Sequence, residues 1–376
     1  MTGITRLDLV VVGGGAIGAA CARTAAIRGL SVALYESGPM AGAASPASAG
    51  MLAAQIEPGD DWWLALAVRA RDRYPALASD LRQTTGIDIG LSRIGIATLA
   101  FTPERARTLA ADAERQRKAG LHAEWISGRE VHVRWPGTAP GCQGALFAPA
   151  DGAVDAATLT LALTSDAVRR GVMHVRERVE RIEHTGGAIS GVATVSGHVS
   201  ARHVVLAAGA WSSHIKGLPR TVPVTPVRGQ LLQVAWPLGL SPAILYHDHG
   251  YVLRRGNHAI LGSTMEQVGF DASVTDTART EMLAAARRLV PALGAPNRHW
   301  AGLRPITPDG LPIIGADPEV EGLWYATGHG RNGILLAPLT GDTIADLVTS
   351  GTTDLDLARL AVDRFDGVTQ SLTPDP

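Results

Sequence analysis

The chain has 376 residues, enough for one large domain or two smaller ones. Hydrophobic residues make up 46% of it and the formal net charge is -1, so a large core is expected and neither nucleic acid nor an anionic membrane is expected as a main partner. Its two cysteines, Cys21 and Cys142, match no disulfide framework or zinc spacing, and no apolar run approaches the length of a transmembrane segment. These features predict a globular protein of the cytoplasm.

The first apolar segment, Leu9 to Ala22, has a superficial likeness to a secretory signal, because it ends in Ala20-Cys21-Ala22. Glycines interrupt the segment and no basic cluster precedes it, which is not the pattern of a signal peptide. We therefore interpret it as the start of a folded domain.

A strand, a tight turn and a helix are predicted near the N-terminus. A β-branched run that begins at Leu9 is typical of a strand buried on both faces of a parallel sheet. Gly13, Gly15 and Gly18 follow in the spacing G-x-G-x-x-G, and segment 16–28 predicts a helix. In a dinucleotide fold these glycines allow the turn, the approach of a pyrophosphate and close helix packing. The helix N-terminus then presents free N–H groups to the phosphates.

Glu36 lies at the end of the next predicted strand, 31–35. An acidic side chain there can accept hydrogen bonds from both ribose hydroxyls and disfavours the 2′-phosphate of NADP, but the motif leaves NAD and FAD open. Segment 37–51 favours FAD, because it is small, polar and helix-poor where a plain NAD domain continues with a helix and a strand. A flexible Ala/Gly/Ser linker is the alternative interpretation of that segment.

The same region resembles the D-amino-acid oxidase superfamily of flavoproteins, and most of all its glycine oxidase branch. The likeness rests on Glu36-Ser37-Gly38, on Ala44-Ser45 and on Ala49-Gly50-Met51-Leu52. Residues of this pattern bind FAD in that family. The resemblance therefore implies that the glycine turn holds the pyrophosphate of FAD.

The middle of the chain changes from a helix-and-strand pattern to alternating strands. Helices are predicted at 106–120 and 156–170, and strands at 172–175, 179–184 and 203–208. Beyond Val222, the segments 230–234, 250–254 and 259–264 are separated by turn-rich spacers, which is typical of an antiparallel sheet. This pattern predicts a second domain inserted before the chain returns to the nucleotide domain.

The run His247-Asp248-His249 allows three interpretations. Two imidazoles on one face of a strand could hold a metal ion, but no third ligand is obvious, so no metal is expected. Polar residues in a loop at the end of the sheet are the second interpretation. The resemblance to glycine oxidases implies a third, in which His249, Tyr251 and Met265 line the substrate pocket and the tyrosine donates to the substrate carboxylate.

The segment from His299 to Leu336 carries the most specific pattern. A glycine-rich loop that leads into a helix can direct N–H groups at the anionic region of a reduced flavin. Arg304 can bind a carboxylate through two parallel hydrogen bonds, with a structural ion pair as the alternative. Nearly forty residues here, WAGLRPxTPDGLPIIG and GHxRNGILLAP, are close to the glycine oxidase pattern, which implies that Arg304 binds the substrate carboxylate.

The candidate site residues follow from these motifs and from the resemblance. The substrate site is assigned to Arg304, Tyr251, Arg331, His249 and Met265. The FAD contacts are assigned to Gly13, Gly15, Ala16, Ile17, Gly18, Glu36, Ser37, Ala44, Ser45, Ala49, Gly50, Met51, Val179, Gly209, His329, Gly330, Asn332, Gly333, Ile334 and Leu335.

Two details modify the family pattern. The glycine oxidases place a bulky aromatic residue where this chain has Gly330, so a larger pocket is expected and strict preference for glycine is in doubt. The C-terminal half contains no cysteine, so the FAD is expected to be non-covalent.

The predicted fold class is α/β, with a Rossmann-like FAD-binding domain of the glutathione-reductase type and an inserted antiparallel-sheet α+β substrate domain. The FAD-binding domain is assigned to 1–90, 150–220 and 298–366, and the substrate domain to 91–149 and 221–297. Residues 367–376 are expected to form a flexible tail.

The predicted activity is flavin-dependent oxidation of glycine, or of another small amino acid or secondary amine, to a 2-oxo acid, with release of ammonia or amine and hydrogen peroxide. A dehydrogenase that passes electrons to a quinone or a protein is the first alternative, and a non-catalytic flavin-binding protein is the second. The electron acceptor and homo-oligomer formation are left open. A link to thiamine biosynthesis is implied by the resemblance alone.

Overall fold

A computed structural model describes residues 6–38, 43–57, 59–248 and 250–367. Its strands, in chain order, are β1 (Leu7–Val12), β2 (Val32–Tyr35), β3 (Met51–Leu52), β4 (Ile96–Ala100), β5 (Glu124–Ser127), β6 (Gly144–Ala148), β7 (Gly152–Ala153), β8 (Met173–Val175), β9 (Val179–Thr185), β10 (Ala188–Thr194), β11 (Gly197–Leu206), β12 (Thr225–Ala235), β13 (Ile244–His247), β14 (Gly250–Arg255), β15 (His258–Gly262), β16 (Arg298–Ile306), β17 (Ile313–Ala316) and β18 (Leu323–Thr327). Its helices are α1 (Ala16–Ile27), α2 (Ala44–Ala47), α3 (Asp61–Arg71), α4 (Tyr74–Thr85), α5 (Pro103–Lys118), α6 (Gly128–Arg134), α7 (Ala156–Arg169), α8 (Asp276–Arg287) and α9 (Gly333–Ser350).

The first sheet has the strand order β17-β18-β11-β1-β2-β8, with the β9–β10 hairpin attached to β11. β1 pairs in parallel with β2 and β11, while β18 and β8 extend the parallel region on either side. The apolar run of β1 lies in the middle of this sheet, where both of its faces are buried. The sheet has the parallel, doubly wound character that the N-terminal motif predicts.

The second sheet has the order β16-β12-β15-β14-β13-β4-β6-β5. Its neighbouring strands are antiparallel except for the parallel pair of β13 and β4. Its outer face packs on α8 around Met282 and Leu289. This is the second, antiparallel sheet that the alternating segments predict.

The position of β16 differs from the predicted domain boundary. Segment 298–366 was assigned to the FAD-binding domain, but β16 pairs with β12 along its whole length, so residues 298–306 belong to the second sheet. β16 is an edge strand, and an edge tolerates Pro305, which has no N–H to donate. Gly302 and Pro305 hid this strand in the sequence pattern. The predicted tail, 367–376, lies outside the described residues apart from Gly367.

Small residues bring α1 and α9 close together over the first sheet. α1 packs against α9 and α7, and its alanines and Cys21 are buried. Gly341 of α9 faces Ala20 of α1 at a distance that leaves little room for a side chain. No helix in the described part of the chain has both the length and the apolar character needed to cross a membrane.

The packing of α1 on α9 makes Gly341→Val a test of this contact. A Cβ at Gly341 would approach the backbone oxygen of Ala20 to 2.9 Å and its Cβ to 3.1 Å. We expect the substitution to lower the free energy of unfolding, measured by urea denaturation, by about 1–3 kcal/mol, because the two helices must separate. Thr349→Val, an exposed site on the same helix, is the matched control and should change it by at most about 0.5 kcal/mol. Equal effects of the two valines would contradict the close packing.

Candidate active site

One large cavity, of volume ≈ 780 Å³, lies between the two sheets. Its wall includes the glycine turn after β1, the segment from Ala43 to Met51, and the start of α9. It also includes the side chains of Arg304 and Tyr251 from the second sheet. The dinucleotide motif and the predicted substrate residues therefore share a single space.

The glycine turn places backbone where side chains would collide. Gly13 has a φ of 109°, which favours glycine, and a Cβ there would overlap with the carbonyl oxygen of Ala207. A Cβ on Gly18 would overlap with the carbonyl oxygen of Gly13. α1 begins at Gly15 without a side-chain cap from that residue, and the N–H of Ala16 donates to Ser45 Oγ at 3.0 Å. The turn thus leaves the start of α1 accessible to an anion.

Glu36 is fixed at the end of β2 by two backbone donors. The N–H of Gly14 donates to its Oε2 and the N–H of Gly38 to its Oε1, both at 2.8 Å. A carboxylate oxygen can accept more than one hydrogen bond, so both oxygens can still accept from ribose hydroxyls. The carboxylate is held in one orientation at the nucleotide end of the cavity.

A second helix also begins at the cavity. Asn332 precedes α9 and provides no side-chain cap, whereas α3, α5 and α7 are capped by Asp60, Thr102 and Asp155. The first N–H groups of α9 are therefore free to donate to a ligand, and the helix dipole favours negative charge there.

His329 is buried, is separated from α9 by the short turn 330–332, and hydrogen-bonds through Nε2 with Thr340 Oγ1 at 3.1 Å. Burial lowers the pKa of His329 to about 3, so the imidazole is neutral near pH 7. The backbone of His329 forms a single antiparallel β-bridge with Ile306 of β16, which connects the segment before α9 to the second sheet.

Arg304 projects from β16 with its guanidinium held by neighbouring residues. Its Nη1 donates to the carbonyl oxygen of Thr264 at 2.9 Å and its Nη2 donates to Ser263 Oγ at 2.8 Å. Gly229 on the paired strand makes the room, because a Cβ there would overlap with the guanidinium. Burial lowers the pKa of Arg304, but an arginine stays charged in proteins. Among the carboxylates of the described segments, none lies within ion-pair distance of it.

Tyr251 lies beside Arg304 and is buried. Burial raises the pKa of Tyr251 to about 12, and the Arg304 guanidinium counteracts only part of that effect. The phenol is therefore protonated near pH 7 and can donate a hydrogen bond. Gly262 on the adjacent strand provides the space for it, since a Cβ there would overlap with the phenol oxygen.

Arg331 lies in the same cavity but has a partner. Its Nη1 is 2.9 Å from Glu57 Oε2, and Tyr246 also lies beside it. Glu57 is the first cause of the raised pKa of Arg331. The two cavity arginines thus differ, since Arg331 is neutralised by a carboxylate and Arg304 is not.

The cavity brings most of the predicted residues together. Its wall contains Arg304, Tyr251, Arg331, Met265, Gly13, Gly15, Ala16, Ile17, Glu36, Ser37, Ala44, Ser45, Ala49, Gly50, Met51, Val179, Gly209, His329, Gly330, Asn332, Gly333 and Ile334. Two predicted contacts are not in the wall: Gly18 packs under the turn, and Leu335 is in the hydrophobic core. His249 lies outside the described residues. Its neighbours have other contacts, because His247 packs against Phe101 and Asp248 pairs with Arg105.

Three residues of the site, Glu57, Tyr246 and Gly229, were missed in the sequence, and Ser263 and Thr264 were given no individual role. Glu57 and Tyr246 line the cavity, Ser263 and Thr264 hold Arg304, and Gly229 makes room for it. In the pairing of β12 with β16, Gly229 lies opposite Gly302, and the guanidinium of Arg304 extends over Gly229, which no local pattern indicates. The Gly-Ser-Thr run 262–264 was a usable signal, since small polar residues at a strand end often contact ligands or ligand-binding side chains.

Known proteins match this arrangement over most of the chain. The family model described as "DAO: FAD dependent oxidoreductase" matches residues 8–347. The chain belongs to this family of FAD-dependent oxidoreductases. It is 38% identical over 373 residues to a glycine oxidase of Geobacillus kaustophilus, covering 96% of this chain and 98% of that protein. It is 34% identical to a bifunctional protein ThiO/ThiG of Trichormus variabilis, of which it covers 55%.

A solved structure agrees with the fold. The crystal structure of glycine oxidase from Geobacillus kaustophilus matches with a TM-score of 0.91 at 37% identity, covering 96% of this chain and 99% of that one. The predicted family and the α/β fold class are confirmed.

The cofactor of the DAO family is FAD, and the described residues fit it. The glycine turn excludes side chains, the uncapped start of α1 suits a pyrophosphate, and Glu36 suits a ribose. The uncapped start of α9 suits the anionic edge of a reduced flavin. We assign the cofactor contacts to these groups.

The buried imidazole of His329 predicts a pH dependence of stability. In the unfolded chain it takes up a proton below its ordinary pKa of 6.5, whereas in the native protein it does so only near pH 3. Its stabilising contribution is therefore complete above pH 6.5 and is lost as the pH falls toward 3. With saturating FAD, the melting temperature of His329→Gln should consequently fall less on acidification than that of the unmodified protein.

His184→Gln, at an exposed histidine, is the matched control for this experiment and should keep the original pH slope. An unchanged slope in His329→Gln would show that the imidazole is not held neutral by burial.

Proposed function

We propose that the protein oxidises glycine, or a similarly small amino acid or secondary amine, to a 2-oxo acid, with release of ammonia or amine and hydrogen peroxide. The observation that carries the proposal is Arg304. Its charge is half-buried in a cavity with the dinucleotide-binding turn, and no carboxylate of the described chain pairs with it. A buried charge without a counter-ion is costly, so a ligand carboxylate is the natural partner.

Arg304 and Tyr251 together form a carboxylate-binding site. A guanidinium has five N–H donors, and Arg304 uses two of its N–H groups on Ser263 and Thr264. The remaining donors can contact a carboxylate in fixed geometry. The protonated phenol of Tyr251 on β14 adds a neutral donor from the same sheet. Both partners are rigid, so the substrate α-carbon is held in one orientation.

When bound, FAD would supply the capacity to accept a hydride equivalent from the substrate and to transfer its two electrons to oxygen. The chain itself contributes positioning, with Arg304 and Tyr251 fixing the carboxylate. His329 is neutral and buried, so it adds no charge near the reacting carbon. The substrate loses a hydride and an amine proton, and water then hydrolyses the imino acid to the 2-oxo acid and ammonia.

The relatives support a small substrate, and Gly330 supports some tolerance of size. The Geobacillus kaustophilus relative is a glycine oxidase. A Cβ at Gly330 would find Ile306 Cγ1 as its nearest neighbour, at 3.9 Å, so the space beside it is open. The φ of 54° at Gly330 also disfavours other residues. We therefore include secondary amines and small D-amino acids in the proposed substrate range.

The direct test is anaerobic mixing of the purified yellow protein with glycine, sarcosine, D-alanine, D-proline and a bulkier D-amino acid. Bleaching of the flavin absorption band by glycine or sarcosine, followed by peroxide on admission of air, is the expected result. Slow reoxidation without peroxide would instead support a dehydrogenase, and no bleaching by any amine would overturn the proposed activity.

The assignment of Arg304 predicts a specific kinetic change. Arg304→Ala should raise KM for glycine and lower kcat/KM by about 100-fold, because charge-assisted hydrogen bonds worth about 1.5–3 kcal/mol are lost. FAD content, measured by absorbance after gel filtration, should stay the same.

Arg298→Ala is the matched control, since Arg298 is exposed on the same strand and stacks on Trp300. It should leave KM near its original value. Unchanged kinetics in Arg304→Ala would remove Arg304 from the substrate site.

A further inference from the structure

Glu57 occupies an unusual place for a carboxylate. Its side chain is only 9% exposed, yet it lies in the cavity wall and pairs with the 46%-exposed side chain of Arg331. Burying a carboxylate is unfavourable unless it gains a charged partner. The pair is therefore a fixed element of the cavity rather than a mobile surface contact.

The segment before Glu57 is anchored by a buried polar network. The N–H of Gln55 donates to Asp151 Oδ2 at 2.9 Å, and its carbonyl accepts from Gln116 Nε2 at 2.7 Å. The Gln55 side chain accepts from Arg71 at 2.5 Å and donates to Gln116 at 2.9 Å. Arg71 and Asp151 are themselves a buried ion pair at 2.9 Å. Two residues further on, Glu57 has little freedom to leave Arg331.

This position of Glu57 sets the charge of the pocket. Burial is the first cause of the lowered pKa of Arg304, but Arg331 lowers that pKa further and Glu57 raises it. The two guanidinium groups are thus close enough to repel, and Glu57 acts on both. Of the two guanidinium groups of Arg304 and Arg331, only that of Arg304 is left without a carboxylate partner in the described chain and available to a substrate.

We propose that Glu57 restricts this site to amino acids with one carboxylate. It does so by occupying Arg331, which would otherwise bind a second anionic group of the substrate. A diacid bound through Arg304 would have to displace Glu57 from Arg331 and would leave that buried carboxylate without its partner. The inference rests on the proposed function, because it assumes that Arg304 holds the first carboxylate.

Glu57→Gln tests the inference by binding alone. Dissociation constants are measured from the change in the flavin absorption band of the holoenzyme on anaerobic titration with malonate against propionate, and with succinate against butyrate. Each pair has equal chain length and differs by one carboxylate. In Glu57→Gln we expect the ratio of the dissociation constant of the monoacid to that of the diacid to increase about tenfold. This is the size expected when the second carboxylate gains one partly buried contact with a positive charge.

Turnover gives a second comparison. Sarcosine and iminodiacetate differ by one carboxylate on the N-substituent. As with the binding preference for diacids, Glu57→Gln should raise the ratio of kcat/KM for iminodiacetate to kcat/KM for sarcosine. Glu57→Ala should act likewise. FAD content and melting temperature show that each variant is folded.

Two further variants make the result specific. Adding Arg331→Gln to Glu57→Gln should abolish the gained preference for diacids, because the second guanidinium is removed. Glu114→Gln removes one negative charge from the exposed face of α5, where Glu114 pairs with Arg117. It should leave the preference unchanged.

The inference is overturned if Glu57→Gln leaves the diacid preference as it was, if Glu114→Gln alters it equally, or if the unmodified protein already prefers diacids. Failure of the proposed function gives a different result, in which no amine bleaches the flavin but the diacid preference still responds to Glu57→Gln.

Discussion

The positive charge of Arg304, kept half-buried without a carboxylate partner, is the interaction around which the cavity is organised. Desolvation of a guanidinium is unfavourable, so its position must be enforced by its surroundings. Ser263 and Thr264 hold two of its N–H groups, and Gly229 leaves the space that it fills. These neighbours satisfy hydrogen bonds but not charge. The positive charge of the guanidinium therefore remains uncompensated, and the carboxylate of a ligand can pair with it.

β16 connects this charge to the dinucleotide-binding half. It pairs with β12 as the edge of the second sheet, and it contacts the first half through backbone and side chains. Trp300 Nε1 donates to the carbonyl oxygen of Ala47, and a Cβ on Gly302 would overlap with Ala47 Cβ. At its other end Ile306 bridges to His329, next to α9. One strand therefore positions Arg304, which we propose binds the substrate, relative to two segments that line the cavity.

The charged and polar groups along the cavity differ between its cofactor end and its substrate end. The uncapped starts of α1 and α9 favour anions, as expected for phosphates and for a reduced flavin. Glu36 places a single acceptor group near the first of these. At the other end Arg304 is uncompensated and Arg331 is compensated by Glu57. The difference between two arginines of the same pocket arises from one acidic residue and from the buried network that holds it.

The sequence determined the parts of the protein in which local spacing has a physical meaning. The glycine turn, Glu36 and the helix after Gly330 were predictable because each depends on neighbours within a few tens of residues. The alternating segments also predicted the second sheet, although the strand at 298–306 was hidden by its glycine and proline residues.

The tertiary structure decided the rest. It brings the guanidinium of Arg304 over Gly229 and places Glu57 against Arg331 across 274 residues of chain. It also buries His329, which keeps the imidazole neutral. These features depend on contacts between segments that are far apart in the sequence. The burial, the pKa and the ion-pair partner of each side chain are fixed only when those segments pack together.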